Sequence, residues 1–331
     1  FEHDGLVFSG QLVWPADAER APLVVHLHGS ERWSAMRANS MQYLLAAQGI
    51  ASFVFDKRGT GQAGARYTRD FHVLAGDARA ALAEARRLAG DAVETVGFLG
   101  GSQGGWIGPL AASGADVDFV VALYGMAEGP LAEDRAEVVQ GVARAGWGET
   151  EQAKAAELAD AAGVIMASGF KEGFEEFDRL RRAYREEPWY DDVRGEFTGD
   201  FLPHPAIGLR IVGPFRDVGT TWEYDPLPVL RGLQVRQLWI IAANDTEAPS
   251  AETVRRLRAL QAEARPIDLV VYPTADHGMI VVEPSADGGV RETGHVQDYY
   301  RQIAAWISSG DLSLARAAGA EVWSMTTADA P

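Results

Sequence analysis

Val93-Glu94-Thr95-Val96-Gly97-Phe98-Leu99-Gly100-Gly101-Ser102-Gln103-Gly104-Gly105 decides how the rest of the chain is read. Val93 to Leu99 reads as a strand that runs without a linker into Gly-x-Ser-x-Gly, and the pattern from Gly104 toward Ser113 is helical. A strand that turns at once into a helix forces the central residue into a strained backbone and lifts its side chain clear of the sheet edge. Residues two places before and after it must be small, because larger ones collide across the turn. The helix that follows directs its free N–H groups and positive end at an oxyanion formed beside Ser102. Ser102 is therefore a candidate nucleophile. The plainer alternative is a glycine-rich turn whose serine only caps the helix.

Working outward, short β-rich runs alternate with amphipathic helical stretches, the pattern of a mainly parallel sheet with helices on both faces. Leu6 to Trp14 reads as an edge strand or hairpin arm closed by Pro15, and Leu23 to Leu27 as a buried strand ending at His28-Gly29-Ser30. Met36 to Gln48 looks helical and stops at Gly49. Ile50 to Phe55 is the next strand, followed by Asp56-Lys57-Arg58-Gly59-Thr60-Gly61, and a helix spans Asp70 to Ala89. A strand at Asp118 to Tyr124 closes this half. The rhythm returns with strands at Gln237 to Ala243 and Ile267 to Tyr272, a helix at Ser250 to Ala264, and a last helix from about His295 to Ser308. The tail from Asp311 onward carries no assignment.

Between these halves, residues 127–236 read first as charged helices (Glu149 to Met166, Phe170 to Glu187) and then as irregular, proline-punctuated chain. Because the strands after it resume the earlier pattern, the segment is an insertion into one sheet domain formed by residues 1–126 and 237–331. Phe170, Phe174 and Phe177, spaced 4 and 3 apart, form a helix-packing stripe. Trp189, Tyr190, Trp222 and Tyr224 lie in the irregular stretches and are the better pocket candidates. Trp106, just past the turn, is expected to pack beneath it.

A serine hydroxyl is a weak nucleophile and needs a base and an orienting acid. On a turn of this kind the chain order is Ser, then Asp or Glu, then His, each after a later strand. Gln237 to Ala243 ends in Asn244-Asp245-Thr246, and Ile267 to Tyr272 is followed by Pro273-Thr274-Ala275-Asp276-His277-Gly278. His277 can take the Ser102 proton while Asp245 fixes its tautomer. A lone Asp245 would read as a turn residue, and a lone His277 as a surface loop residue. Glu128 and Asp217 are alternative acids; Asp276 is too near its neighbour to orient it easily. His295 is an alternative base, placed where the last helix should begin. His26 and His28 share one side of a strand, but no carboxylate partner or His-Glu-x-x-His set accompanies them, so no metal is expected.

The chain has 331 residues, 47% hydrophobic and 23% charged, which supports a sizeable core. Its 30 Lys and Arg against 47 Asp and Glu leave a net charge of −17, a field that repels phosphate backbones and anionic lipid. The absence of cysteine excludes disulfides, thiolate nucleophiles, Fe–S clusters and Cys-based zinc sites. The longest apolar runs, such as Phe119 to Tyr124 and Leu238 to Ala243, are of strand length, well under the roughly 20 residues that span a bilayer. The sequence opens on Phe1, as a cleaved signal peptide or a trimmed tag would leave it, and both cytoplasmic and exported locations stay open. No cofactor, nucleic-acid partner or membrane insertion is expected.

Taken together, Gly-x-Ser102-x-Gly, Asp245 and His277 resemble the α/β-hydrolase superfamily, and more narrowly the bacterial serine esterases of its dienelactone-hydrolase and prolyl-oligopeptidase-like branch. The resemblance spans about Leu23 to Tyr124 and Gln237 to Ser308. It implies an eight-stranded, mainly parallel sheet flanked by helices, with a helical cap between strands 6 and 7 as the family counts them. His28-Gly29-Ser30 is similar to the family's His-Gly element, which implies that the backbone N–H of Ser30, with that of Gln103, forms the oxyanion hole. Asp56-x-Arg58-Gly59-x-Gly61 is similar to a family turn and implies a bracing role for Asp56 and Arg58. The implied activity is hydrolysis of a small-molecule carboxylic ester through an acyl-enzyme. A peptidase or amidase on the same groups is the alternative, although such relatives usually carry an N-terminal propeller and only 22 residues precede Leu23. A non-catalytic binding member would be marked by a lost triad residue, and Ser102 argues against dehalogenase or epoxide hydrolase chemistry, which needs Asp there.

Overall fold

Near-continuous apolar runs such as Ala51–Phe55, Phe119–Leu123 and Ile267–Tyr272 have no polar face to turn to water, so they settle in a parallel sheet covered on both sides. A computed structural model describes residues 1–285 and 290–325 of the chain. It contains two compact units: residues 1–127, 226–244 and 250 onward form the first, and residues 128–225 with 245–249 the second.

The first unit is built on an eight-stranded sheet. Its order from edge to edge is Glu321–Trp323, Ile267–Tyr272, Arg236–Ala242, Phe119–Leu123, Val93–Gly101, Ala21–Leu27, Ala51–Phe55 and Gly10–Val13. The six inner strands are parallel and the two edge strands antiparallel. All six therefore present their C-terminal ends at one rim, where open α/β sheets bind ligands. Along this sheet the inserted helices fall between the fifth and sixth strands, because the eighth strand comes from the C-terminal tail. That tail, unassigned above, forms a short helix at Ser313–Ala317 and the strand Glu321–Trp323.

Helices cover both faces. Phe71–Ala89 starts where the Asp70 carboxylate accepts from the amides of His72 and Val73, as an N-cap should. Trp239 and Trp306 are fully buried on the sheet, each contributing roughly 4–6 kcal/mol of transfer free energy at about 25 cal/mol per Å². The Trp306 indole donates to Asp268 Oδ2 at 2.7 Å, so its polar end is satisfied.

Two expected helices change. Met36 to Gln48 divides into Ala35–Ala38 and Met41–Ala46, because Asn39 leaves helical geometry (φ −103°, ψ 93°). The Asn39 amide faces Nδ1 of buried His26 at 3.4 Å, and its carbonyl accepts from Gln42. The last helix begins at Tyr299, and His295 instead ends an exposed strand, Val290–His295, paired with Ile280–Pro284.

The second unit is helical: Pro130–Arg144, Glu149–Ala167, Phe174–Tyr184 and Ala206–Arg216 are its main helices. The last of these forms within the proline-punctuated stretch because Pro205 precedes it and Pro214 sits in its final turn, where one lost N–H bond is tolerated. Val138, Val142, Leu158, Ile165, Phe174, Phe177 and Leu180 form the core, and Asp134 accepts from the amides of Phe197 and Thr198 and from the Thr198 hydroxyl.

Candidate active site

Ser102 follows directly on the Val93–Gly101 strand with φ +52°, the left-handed region that a non-glycine residue occupies only under constraint. The constraint is visible at both flanking glycines. A Cβ on Gly100 would lie 2.1 Å from the Gly104 carbonyl oxygen, and one on Gly104 would lie 2.2 Å from that of Leu27. The Ser102 amide donates to the Leu123 carbonyl at 3.0 Å, and its own carbonyl accepts from Gly105 at 2.7 Å. Helix Gly104–Ala112 has Gln103 in the cap position and no side-chain cap, so Ser102 is not spent on capping. Trp106 packs under the turn, stacked on Phe71 at 5.0 Å.

One strand over, Tyr124 repeats the device. It follows Phe119–Leu123 with φ +39°, and its amide donates to the Ile240 carbonyl at 2.7 Å. Its phenol lies over the serine turn, since a Cβ on Gly101 would approach the Tyr124 hydroxyl to 2.6 Å. Its ring meets the His277 ring edge-on, centroids 4.9 Å apart at 66°. Tyr124 thus joins the Ser102 turn to the His277 loop. Nothing in a single sequence marks it, because a tyrosine after an apolar strand reads as the strand's last residue.

His277 opens a single 3-10 turn, His277–Met279, after the short Ala275–Asp276 strand. The Asp276 carboxylate is engaged by the His277 amide at 2.8 Å, a local cap. The Asn244 amide donates to the Ala275 carbonyl at 2.9 Å, which ties the loop after Arg236–Ala242 to the loop bearing His277. Asp245 itself is 1% exposed, and its Oδ1 accepts from the amides of Glu247 and Ala248 at 3.0 and 2.8 Å. In its own unit lies a cluster of acids that sequence reasoning missed. Burial, and then the charges of Glu196, Glu137, Asp245 and Asp134, hold Glu133 well above the usual carboxylate range. Of the alternative acids, Glu128 is buried and Asp217 accepts from Gly219 in a local turn.

The His28-Gly29-Ser30 segment runs across the serine: a Cβ on Gly29 would lie 3.2 Å from the Ser102 Cβ. The Ser30 carbonyl accepts from the Tyr67 hydroxyl at 2.5 Å, and the Gly29 carbonyl accepts from the ammonium of Lys57, a buried lysine. Gln103 is buried, and its Oε1 has no hydrogen-bond partner. Arg58 clamps Asp77 through two bonds of 2.6 and 2.7 Å, while Asp56 accepts from the Ser34 hydroxyl at 2.7 Å. A surface cavity of about 400 Å³ opens beside Trp33, Arg37, Asp56 and Gln62, on the chain just past Ser30.

The proposed pocket aromatics differ among themselves. Trp189 is 1% exposed inside the helical core, in contact with Tyr184 and Tyr190, and presents no face to a ligand; its size and apolarity outweigh the irregular chain around it. Tyr190 and Trp222 are half-buried, Trp222 against Phe197 at 4.6 Å, and Tyr224 is buried. Among the described residues no group of three or more His, Cys, Asp or Glu side chains is placed to hold a metal ion, and no helix is long and apolar enough to cross a membrane.

Comparison with solved structures gives full-length likenesses at low identity. Est1E from Butyrivibrio proteoclasticus, solved with ferulic acid bound, is 16% identical, covers 95% of this chain and 97% of its own, and superposes with a TM-score of 0.51. Proline iminopeptidase from Mycobacterium smegmatis is 16% identical over 93% and 96%, with a TM-score of 0.52. The α/β hydrolase GrgF from Penicillium sp. sh18 is 15% identical over 83% and 88%, at 0.51. These show the shared fold. No curated protein sequence matches the chain. The sequence profile of the Alpha/beta hydrolase family matches residues 24–288, most of the chain, and with the sheet order above it establishes that the chain belongs to the α/β hydrolase family.

Proposed function

We propose that this hydrolase cleaves a carboxylic ester through an acyl-enzyme. Ser102 is the nucleophile, His277 the general base and acid, and Asp245 the group that orients the imidazole. The amides of Ser30 and Gln103 receive the oxyanion. The observation that carries the reading is Ser102 at φ +52°, between glycines that admit no Cβ, with His277 brought to the same rim across Tyr124. The Asn244–Ala275 bond, which holds together the loops bearing Asp245 and His277, supports the choice of acid.

In this scheme the Ser102 oxygen bonds to the ester carbonyl carbon as its proton passes to the imidazole. The tetrahedral oxyanion collapses, the C–O bond to the alcohol breaks, and the imidazolium protonates the departing alkoxide. Water, deprotonated by the same imidazole, then attacks the acyl-serine; the carboxylic acid leaves and the Ser102 hydroxyl is restored. Each oxyanion donor is worth roughly 100- to 1,000-fold in rate.

A fluorophosphonate probe is expected to label Ser102, with Ser102→Ala abolishing both labelling and turnover of p-nitrophenyl esters in a folded protein. Labelling that persists in that variant overturns the assignment. The same groups serve amide cleavage, and the likeness to a proline iminopeptidase keeps that reading in view. Faster turnover of aminoacyl anilides than of esters would select it.

A further inference from the structure

We infer that Lys57 is a positioning residue that aims and polarises the Ser30 amide through the Gly29 carbonyl. The inference rests on the proposed role of that amide in the oxyanion hole.

The Gly29 carbonyl and the Ser30 N–H are the two ends of one peptide plane. In a trans peptide they point in opposite directions, so whatever fixes the carbonyl fixes the direction of the N–H. Among the described residues there is no cis peptide, and the Lys57 ammonium donates to that carbonyl. Lys57 is 4% exposed, and its charge lies 5.2 Å from the Tyr67 ring centroid. The Tyr67 hydroxyl in turn holds the next carbonyl, that of Ser30, at 2.5 Å. Two consecutive carbonyls flanking the candidate donor are thus pinned beside Ser102, whose Cβ lies 3.2 Å from where a Cβ on Gly29 would stand. A cation on the carbonyl oxygen also draws electron density along the amide, which makes the N–H a stronger donor. The gain is largest when full negative charge sits on the substrate oxygen, so the effect belongs to the transition state rather than to substrate binding.

A buried ammonium is costly unless it is matched. Its setting includes Glu31, which attracts it, and Arg32 and Arg69, which oppose it; burial dominates and brings the Lys57 pKa down to about 8. His28, 3.3 Å from Glu31, and Asp77 line with Lys57 a cavity of about 20 Å³, room for about one water. Gln103, the residue of the second candidate donor, lies on the same wall. Lys57 keeps its charge below pH 8 and loses it above, so the polarisation fades as pH rises through that value.

The test is steady-state hydrolysis of p-nitrophenyl acetate by the full chain from pH 6 to 10. Lys57→Met is expected to lower kcat roughly 10-fold with KM within about twofold, and to weaken a trifluoromethyl ketone inhibitor by the same factor, since only tetrahedral species use the polarised amide. Wild-type kcat should fall as pH rises through about 8. Lys57→Arg, charged throughout, should lack that fall, and Lys57→Gln should share the low plateau of the methionine variant. Wild-type kcat in Lys57→Met, or an alkaline fall that persists in Lys57→Arg, overturns the inference. If the methionine variant does not fold, the glutamine and arginine profiles decide. Should Ser102→Ala still label and turn over, the proposed function fails. Should that variant be dead while every Lys57 variant runs at the wild-type rate, only this inference fails.

Discussion

Gly104 and Gly108 stand one turn apart on the helix after Ser102, and replacing each by alanine should move stability in opposite directions. Helix propensity alone favours alanine at both, by up to about 1 kcal/mol. At Gly108 the new methyl would meet Val120 Cγ1 at 3.5 Å and Leu27 Cδ1 at 3.8 Å, ordinary contact. Gly108→Ala should therefore be neutral or stabilising by a few tenths to about 1 kcal/mol. At Gly104 the methyl would stand 2.2 Å from the Leu27 carbonyl oxygen and 3.0 Å from its carbon. That is more than 1 Å inside the roughly 3.5 Å at which non-bonded atoms are comfortable. Overpacking typically costs 1–3 kcal/mol when a side chain can give way; here the obstacle is the backbone of a buried inner strand, so the upper end, about 3 kcal/mol, applies. Subtracting the propensity gain leaves Gly104→Ala destabilised by about 2 kcal/mol. Urea unfolding of the two variants, followed by far-UV circular dichroism, measures the difference. Ester turnover should also collapse in Gly104→Ala alone, because the helix can only retreat by carrying Ser102 with it. A Gly104→Ala protein as stable as Gly108→Ala would refute the steric account of the turn.

Two further outcomes follow from the acids. Asp245→Asn should lower kcat by about 10,000-fold on p-nitrophenyl esters with the fold intact; a near-wild-type rate would pass the orienting role to Glu128 or Asp217. Burial, reinforced by Asp134, Glu196 and Glu247, lifts Glu137 from 4.5 to about 8 against the bond donated by the Glu196 amide. The folded state therefore holds a proton that the unfolded chain releases near 4.5, so stability is lost as pH rises from about 4.5 to 8. Buried His26, its pKa lowered to about 3, gains stability over part of the same range, so the comparison between variants is what reads Glu137: as pH rises the urea midpoint of Glu137→Gln should gain on that of the wild type, and equal slopes would contradict the assignment.

What could be read from the residues is what local sterics and periodicity govern. The serine turn is legible because the glycines at 100 and 104 are required by contacts within a few residues and one neighbouring strand. The inner strands are legible because a parallel strand buried on both faces must be apolar along its whole length. Contacts made at long range leave no such trace. Glu321–Trp323 is a strand only because Ile267–Tyr272 offers it an open edge, and three residues carry no period. Asn39 breaks its helix for the sake of a buried histidine 13 positions away, and Trp189 is drawn into a core that an irregular local sequence does not advertise. Lys57 sits inside a turn whose Asp56 and Arg58 could be assigned by resemblance, yet its own bond reaches back 28 residues.

The two left-handed residues at the rim, Ser102 and Tyr124, make the same point in energetic terms. Each costs of order 1–3 kcal/mol in backbone strain. Each is also the residue just past an inner strand, and each donates its amide to the neighbouring strand: Ser102 to Leu123 and Tyr124 to Ile240. The sheet ladder therefore runs one residue beyond the regular strands and holds both residues where sterics disfavour them. For Ser102 the flanking glycines betray the strain, because the chain turns straight into a helix and needs the room. Tyr124 turns into buried loop at Gly125, where a Cβ would lie 3.0 Å from the Gly105 Cα, but one glycine after an apolar strand spells no motif that marks the tyrosine before it. Yet it is the Tyr124 ring that lies between the serine turn and His277. Strain at a site is readable from sequence only where glycines recur at the spacing of a known turn, as at 100 and 104; beside Tyr124 a lone Gly125 gives no such spacing, and coordinates are needed to find it.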